Sequence, residues 1–544
     1  MGECKGVMGM KKMEQGGRWM GWKNGVMTVY FSLTFLLILS LLFSLMETAR
    51  YYGIQMRIQC VTDMAVTSVF AEFQKELLTE YDMFFIDAAY GKESGTTDRV
   101  KLRLQDYVSF NMNPSKGTLG GEGVDLFSAA LEGCEISELV YATDDSGQAF
   151  YHQAISVMKE EIGITMAEKI RDSLSIGETV REKDHLISEE KTKSDLAMEH
   201  LERMDQLQEQ VGESSGEMPK EEINGKEEHK KEEEASGKKQ ENPIETIKKL
   251  KKMGILSLVI KDAGRISNKA WERPQNLVSK RVLQEGTGEI KMKEQSLPQM
   301  VQTILYDEYV MDRLSYWGES KAGESKAGES NEGGLAYEVE YLLGGKMSDH
   351  ENLKKMAQKM IGMREAANFT YLLTDQIKRK EAETMAASIA GVGGGGLVLA
   401  VTSAILLAWS YAESILDVRH LFSGGRIPML KTSKDWQTSL SEIPELLNHL
   451  DREVKEEESG FSYEDYLRFF LVLEEPSKKV FRTMDVVERN IQEIHHQPNV
   501  KLDQCIFSMK TVFLWRTNQR FFSHLGKNPQ HYTFQSEQSF QYDF

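Results

Sequence analysis

Val26–Met46 reads VMTVYFSLTFLLILSLLFSLM, 21 residues without a charge, and the uncharged run opens at Asn24. Coiled as a helix it spans roughly 30 Å, the thickness of a bilayer's hydrocarbon core. Glu47 and Arg50 close it. Ahead of it Lys5, Lys11, Lys12, Arg18 and Lys23 outnumber Glu3 and Glu14, and a basic flank holds its side of a membrane helix in the cytoplasm. The expected layout is a short cytoplasmic tail (residues 1–23), one transmembrane anchor (24–46) and a large extracytoplasmic body. A cleaved signal peptide has a shorter apolar region, about 7–15 residues, followed by a small-residue cleavage site. The run here is longer, and Ser44-Leu45-Met46 does not supply that site.

Helical patterning continues past the anchor. Ile54, Ile58, Val61, Ala65 and Val69 recur at spacings of three and four, with Phe73 and Leu77 extending the stripe, so one helix is expected from Val26 to Leu78. The aromatic cluster Tyr81–Ala89 then leaves it. The chain as a whole is expected to be mainly α with minor β: an N-terminal transmembrane helix continuing into an extracytoplasmic helical body. A length of 544 residues allows two to four domains. The net charge of −18 disfavours nucleic acid as a partner, because such partners want a basic face.

Beginning at the anchor, several stretches carry a family resemblance. GVMTVYFSLTFLLILSLLFSLMETARYY (residues 25–52) followed by ELLTEYDMFFID resembles a TadE/TadG-type pilin-like protein. More closely, the chain resembles an uncharacterised family of membrane-anchored proteins of clostridia and related Gram-positive bacteria that accompanies tight-adherence (Tad, Flp-type) pilus loci. ATDDSGQAFYHQAISVMK, EVEYLLGGKMSDHENL, MREAANFTYLL, AWSYAESILDVRHLFSGG and YEDYLRFFLVL are similar to it as well. The resemblance implies a pilin-like helix starting at Gly25 and Val26, held by the lipid bilayer and by other pilin-like proteins or the Tad assembly machinery. The sequence departs from the pilin pattern at Tyr30, five residues after Gly25, where prepilins carry a glutamate. Cleavage at Gly25 is therefore not expected. Glu47 and Arg50 mark the far end of the anchor, where the pilin glutamate's role does not transfer.

Between residues 47 and 180 the sequence suggests the helix extension and an α+β region. Val100–Phe110 gives a mixed pattern and Asn111–Gly123 a turn-rich linker. A short strand is expected at Glu138–Thr143, a turn at Asp144–Gly147 and an amphipathic helix at Ala149–Ile162. Asp144 and Asp145 lack the spacing of a calcium loop. Residues 181–243 are dominated by Glu, Lys, Gly and Ser and are expected to be a charged, largely disordered insertion. The remainder, 244–544, reads as a helical body interrupted by a flexible repeat, GESKAGESKAGES, within residues 318–334.

In that body Ser348 with Glu351 marks the start of a helix running to Ala387. Thr384–Ala412 then holds 29 residues without a charge. Gly391 and Gly393–Gly396 break it, leaving about 15 apolar residues, a length suited to a buried helix; a second membrane span over 397–412 is the alternative. Pro476 separates helices at Tyr463–Glu474 and Lys479–Ile494. Leu502–Trp515 is β-prone, and the last twenty residues are expected to be loosely ordered.

The sequence offers no H-E-x-x-H, G-x-S-x-G or phosphate-binding glycine loop, so a non-catalytic protein without cofactor or metal is expected. His495-His496 diverge on a helix and lack a third ligand. Glu413 and Asp417, four apart on one helix face, pair with Arg419 or Arg364 as a structural ion pair, or line a pocket with Arg419 in a membrane-tethered enzyme or sensor. Cys134 and Cys505 are candidates for a disulfide in an oxidising compartment, or buried thiols.

Overall fold

The computed structural model describes residues 20–93, 97–112, 126–167, 169–170, 243–290, 297–318, 334–390, 395–450, 460–521 and 531–542. The basic tail before residue 20, the linker over 113–123, the insertion over 181–242 and the repeat over 319–333 lie outside them. In chain order the elements are α1 (Met20–Phe70), α2 (Lys75–Tyr81), β1 (Ile86–Asp87), α3 (Thr97–Met112), β2 (Ala130–Tyr141) and α4 (Asp144–Glu161). There follow α5 (Pro243–Lys252), α6 (Ile255–Val259), α7 (Gln299–Arg313), α8 (Glu338–Gly344), α9 (Asp349–Thr374), α10 (Gln376–Ala390) and α11 (Gly395–Phe422). The chain closes with α12 (Tyr463–Leu473), α13 (Pro476–Glu493), β3 (Cys505–Asn518) and β4 (His531–Gln541). The architecture is α+β: mostly helical, with a small sheet and an apolar N-terminal helix. Two compact units divide it. The first holds residues 1–72, 96–139 and 508–541, the second residues 73–95, 140–507 and 542–544.

In the first unit α1 changes character at Met46. Before it, Leu33, Phe35, Leu37, Leu41 and Leu45 are all more than half exposed. By length and composition this segment can cross a membrane, a test that a signal sequence also passes. After it, Glu47, Arg50, Ile54, Ile58, Val61, Ala65 and Val69 are buried, one stripe at helical spacing that packs on α3 and β4. The stripe does not run on to Leu77. The helix ends at Phe70, and Glu72 turns aside to accept the guanidinium of Arg103 and the hydroxyl of Tyr107 (2.7 Å), both on α3. Val100, Leu104, Val108 and Met112 form the buried face of α3. The exposed Leu102 and Phe110 mask that periodicity in the sequence.

The expected loose tail is instead strand β4, antiparallel to β3 with Trp515 opposite Phe534 and Lys510 opposite Ser539. Its alternation is real: Phe534 packs tilted against Tyr51 (4.9 Å), Ser536 Oγ lies 3.0 Å from Thr62 Oγ1, and Phe540 stacks on Phe70 at 4.3 Å. Aromatic and small polar residues alternate there, a strand pattern carried by few aliphatic side chains. On the other side of β3, Glu132 pairs with Arg516 and Glu138 with Lys510, so β2 also runs antiparallel to it.

The second unit has a core of its own around α11, which packs against α5, α6, α9 and α10. α11 is longer than the apolar run implied, continuing through Glu413 and Asp417 to Phe422, and most of it is buried. The helix beginning at Ser348 is capped as expected, Ser348 Oγ accepting from Glu351 N. It breaks at Asp375, whose carboxylate accepts the backbone N–H groups of Ile377 and Lys378 and so starts α10. Pro476 occupies the first turn of α13 rather than a gap between helices. β1 pairs Ile86 with Ile506 and Asp87 with Cys505. At Asp144–Gly147 the expected turn is present, with φ of 48°, 60° and 77° at Asp145, Ser146 and Gly147. The Asp144 carboxylate accepts Tyr141 N at 2.7 Å and Gly286 N at 3.0 Å, which makes it a backbone anchor.

Candidate functional site

Gly25 and Val26 lie in the early turns of α1, and Tyr30 is largely exposed one turn further on. Glu47 and Arg50 are both buried where the apolar segment gives way to the packed stripe. Arg50 donates to Glu47 Oε1 (3.0 Å), to the Leu126 carbonyl (2.6 Å) and to Thr517 Oγ1 (3.0 Å). Glu47 Oε2 accepts Phe521 N (3.1 Å), and Thr517 in turn donates to the Ser128 carbonyl. The pair expected only to mark the membrane boundary thus ties α1 to β3 and to the segment before β2. Truncating either member would bury an uncompensated charge.

Glu413 and Asp417 belong to a second buried group. Both are fully buried on α11, one turn apart. Arg364, on α9, lies 2.9 Å from Asp417 Oδ2 and also donates to the carbonyls of Pro428 and Met429. Lys431, from the turn after α11, pairs with Glu413 and stands 2.5 Å from Asp417 Oδ1. Asn368 donates to Asp417 (3.0 Å), while Gln437 N, Thr438 N and Thr438 Oγ1 complete the shell of Glu413. Two carboxylates and two cations balance. Burial pushes the Asp417 carboxyl up, but Lys431 and Arg364 outweigh it and hold the group below its ordinary value.

Arg419 takes a different place from the one its spacing suggests. Its guanidinium donates to the Leu258 carbonyl (2.8 Å) in α6, and the cations that meet Glu413 and Asp417 are Arg364 and Lys431. Two residues along α11 from Asp417, Arg419 lies about 200° around the helix axis, on the other side. Lys431 was invisible to periodicity because it comes from an irregular turn behind Pro428.

Residues 232–516, just over half of the chain, match a family of unknown function, DUF5702. The chain belongs to the DUF5702 family. No curated protein and no solved structure matches it. The DUF5702 match covers α5 to α13 and most of β3, and so contains the whole Arg364–Glu413–Asp417–Lys431 group; α1 lies outside it.

Within the same DUF5702 region, α8 carries two further buried acids. Glu338 accepts from Ser315 N (2.8 Å) and Asn490 (2.6 Å). Glu340 accepts from Trp317 N (2.9 Å) and Tyr463 Oη (2.7 Å), while its Oε2 has no hydrogen-bond partner among the described residues. No cation pairs with Glu340 among the described residues, and burial pushes its carboxyl up to about 7.

The remaining candidates sit apart. His495 Nε2 lies 2.6 Å from Glu80 Oε1 at the end of α13, a helix-end contact. Cys134 and Cys505 are free thiols, so the disulfide considered above is not formed. Burial raises the Cys134 thiol to about 11 and lifts the Cys505 thiol well above its ordinary value, leaving both inert.

Proposed function

We propose that this DUF5702 chain is a non-catalytic, membrane-anchored surface protein, an accessory or pilin-like component of a Tad-type pilus or adhesion system. One observation carries the reading. Most apolar residues over 27–46 of α1 are exposed, and the same unbroken helix then packs into a folded unit. A helix half in lipid and half on protein is the plan of a pilin-like subunit, which neighbouring subunits can grip by their own apolar helices. The basic flank places the tail in the cytoplasm and the body outside. Glu413 and Asp417, the strongest acid/base candidates in the sequence, are sealed from solvent and neutralised by Arg364 and Lys431. That favours a structural role for them over chemistry on a substrate.

The test is genetic. In the native cells, removing this chain is expected to abolish surface filaments and sharply lower adherence. The full chain should restore both, and a version with Val26–Met46 replaced by a cleavable signal peptide should not. Unchanged filaments and adherence in the deletion strain would contradict the reading.

A further inference from the structure

The second unit holds a cleft of about 280 Å³ whose lining includes Lys269, Trp271, Arg273, Leu335, Arg489 and Glu493. We infer that it binds a small organic anion, a phosphate or carboxylate group joined to a short apolar body. With Glu272 also in the lining, three cations face two acids, a local positive balance in a chain whose net charge is −18. Arg489 is engaged: it lies 3.4 Å from Glu493 and donates to the Arg273 carbonyl at 3.3 Å. Lys269 and Arg273 make no close ion pair among the described residues; Lys269 acts on Glu493 and Asp349 only through space, lowering their carboxyls. One ammonium and one guanidinium fork are therefore left to meet an oxyanion, the pairing in which charge-assisted hydrogen bonds are shortest and strongest.

The cleft is built before any ligand arrives. Ala270 bridges Ser348 in antiparallel fashion, Trp271 N donates to the Met347 carbonyl (2.8 Å), and Asp349 N donates to that of Lys269 (3.0 Å). The Trp271 ring packs edge-on against Tyr341 at 4.7 Å, so with Leu335 it forms a fixed apolar wall. Its buried indole N–H has no hydrogen-bond partner among the described residues, a donor left unmet beside the cavity. Arg273 holds a left-handed backbone, φ 57°, immediately before Pro274. A side-chain-bearing residue keeps such a conformation only where its surroundings impose it, and binding sites are where that recurs. Pinned walls, unmatched cations and an apolar face are what a small-anion pocket requires.

Calorimetric titration of the full chain in detergent, with inorganic phosphate, glycerol 3-phosphate and N-acetylalanine as separate probes, tests this. At least one probe should bind saturably at one site, and the preferred probe distinguishes phosphate from carboxylate as the head group. Lys269→Gln/Arg273→Gln should weaken it by about tenfold or more without moving the thermal midpoint. Lys269→Gln alone should weaken it less, which keeps the test valid if the double variant folds poorly. No binding of any probe up to roughly 10 mM, or equal binding by wild type and both variants, would overturn the proposal. Either result leaves the pilus reading untouched, because the cleft is argued independently of the anchor.

Discussion

Replacing Lys431 by methionine is expected to lower the unfolding free energy of the full chain by about 3–5 kcal/mol, because it breaks a buried ion group from one side. Lys431 is the cation shared by Glu413 and Asp417, and all three side chains are almost completely buried. With it gone, Arg364 still covers Asp417, while the hydrogen-bond donors left to Glu413 among the described residues are the neutral ones of Gln437 and Thr438. One negative charge is then left in the core of the second unit. Urea unfolding in detergent, followed by tryptophan fluorescence, reads the loss directly. The double variant Glu413→Gln/Lys431→Met should recover part of it, since it removes the orphaned charge together with its partner. A single-variant loss below about 1 kcal/mol would mean the group is hydrated and not the sealed cluster described here.

Stability should also depend on pH. Glu340 has its carboxyl raised by burial to about 7, above the unfolded value of about 4.3. Its protonated form is thus favoured by folding. The associated stability is complete below the unfolded value and is lost as pH rises through the folded one. Between pH 5.5 and 8 the wild type should lose about 2 kcal/mol relative to Glu340→Gln, whose amide cannot ionise. Glu338, Asp349 and Asp485, also raised chiefly by burial, act in the same direction, so the Gln variant isolates one contribution among several. Thermal melts of both proteins at the two pH values give the difference. A difference near zero, or one of opposite sign, would show that Glu340 ionises freely in the folded chain.

Much of this architecture was legible in the sequence where burial follows a simple period. The stripe from Ile54 to Val69, the Ser348 cap and the strand around Ile506–Trp515 all appear where spacing put them. The departures share a cause: side chains supplied from elsewhere decided the local outcome. Glu72 is drawn to Arg103 and Tyr107, so the first helix stops at Phe70. Asp375 caps a new helix inside a run that looked continuous. β4 escaped notice because its strand face is built from Phe534, Ser536 and Phe540, and not from aliphatic residues. The ion group was half legible. Glu413 and Asp417 announced themselves by their four-residue spacing, but no periodic signal links α11 to Lys431 in an irregular turn or selects Arg364 over Arg419.

A single anchor with the body of the chain outside is tested by thiol labelling of intact cells. Native cysteines are replaced, and single cysteines are placed at Val282, ahead of α11, and at Ser477, beyond it; Val282 is exposed and Ser477 partly so. A membrane-impermeant maleimide should label both sites without opening the cells. Labelling at Val282 alone, with Ser477 reached only after lysis, would mean that α11 crosses the membrane and would contradict the single-anchor account. Labelling at neither site until lysis would place the body in the cytoplasm and contradict the surface role altogether.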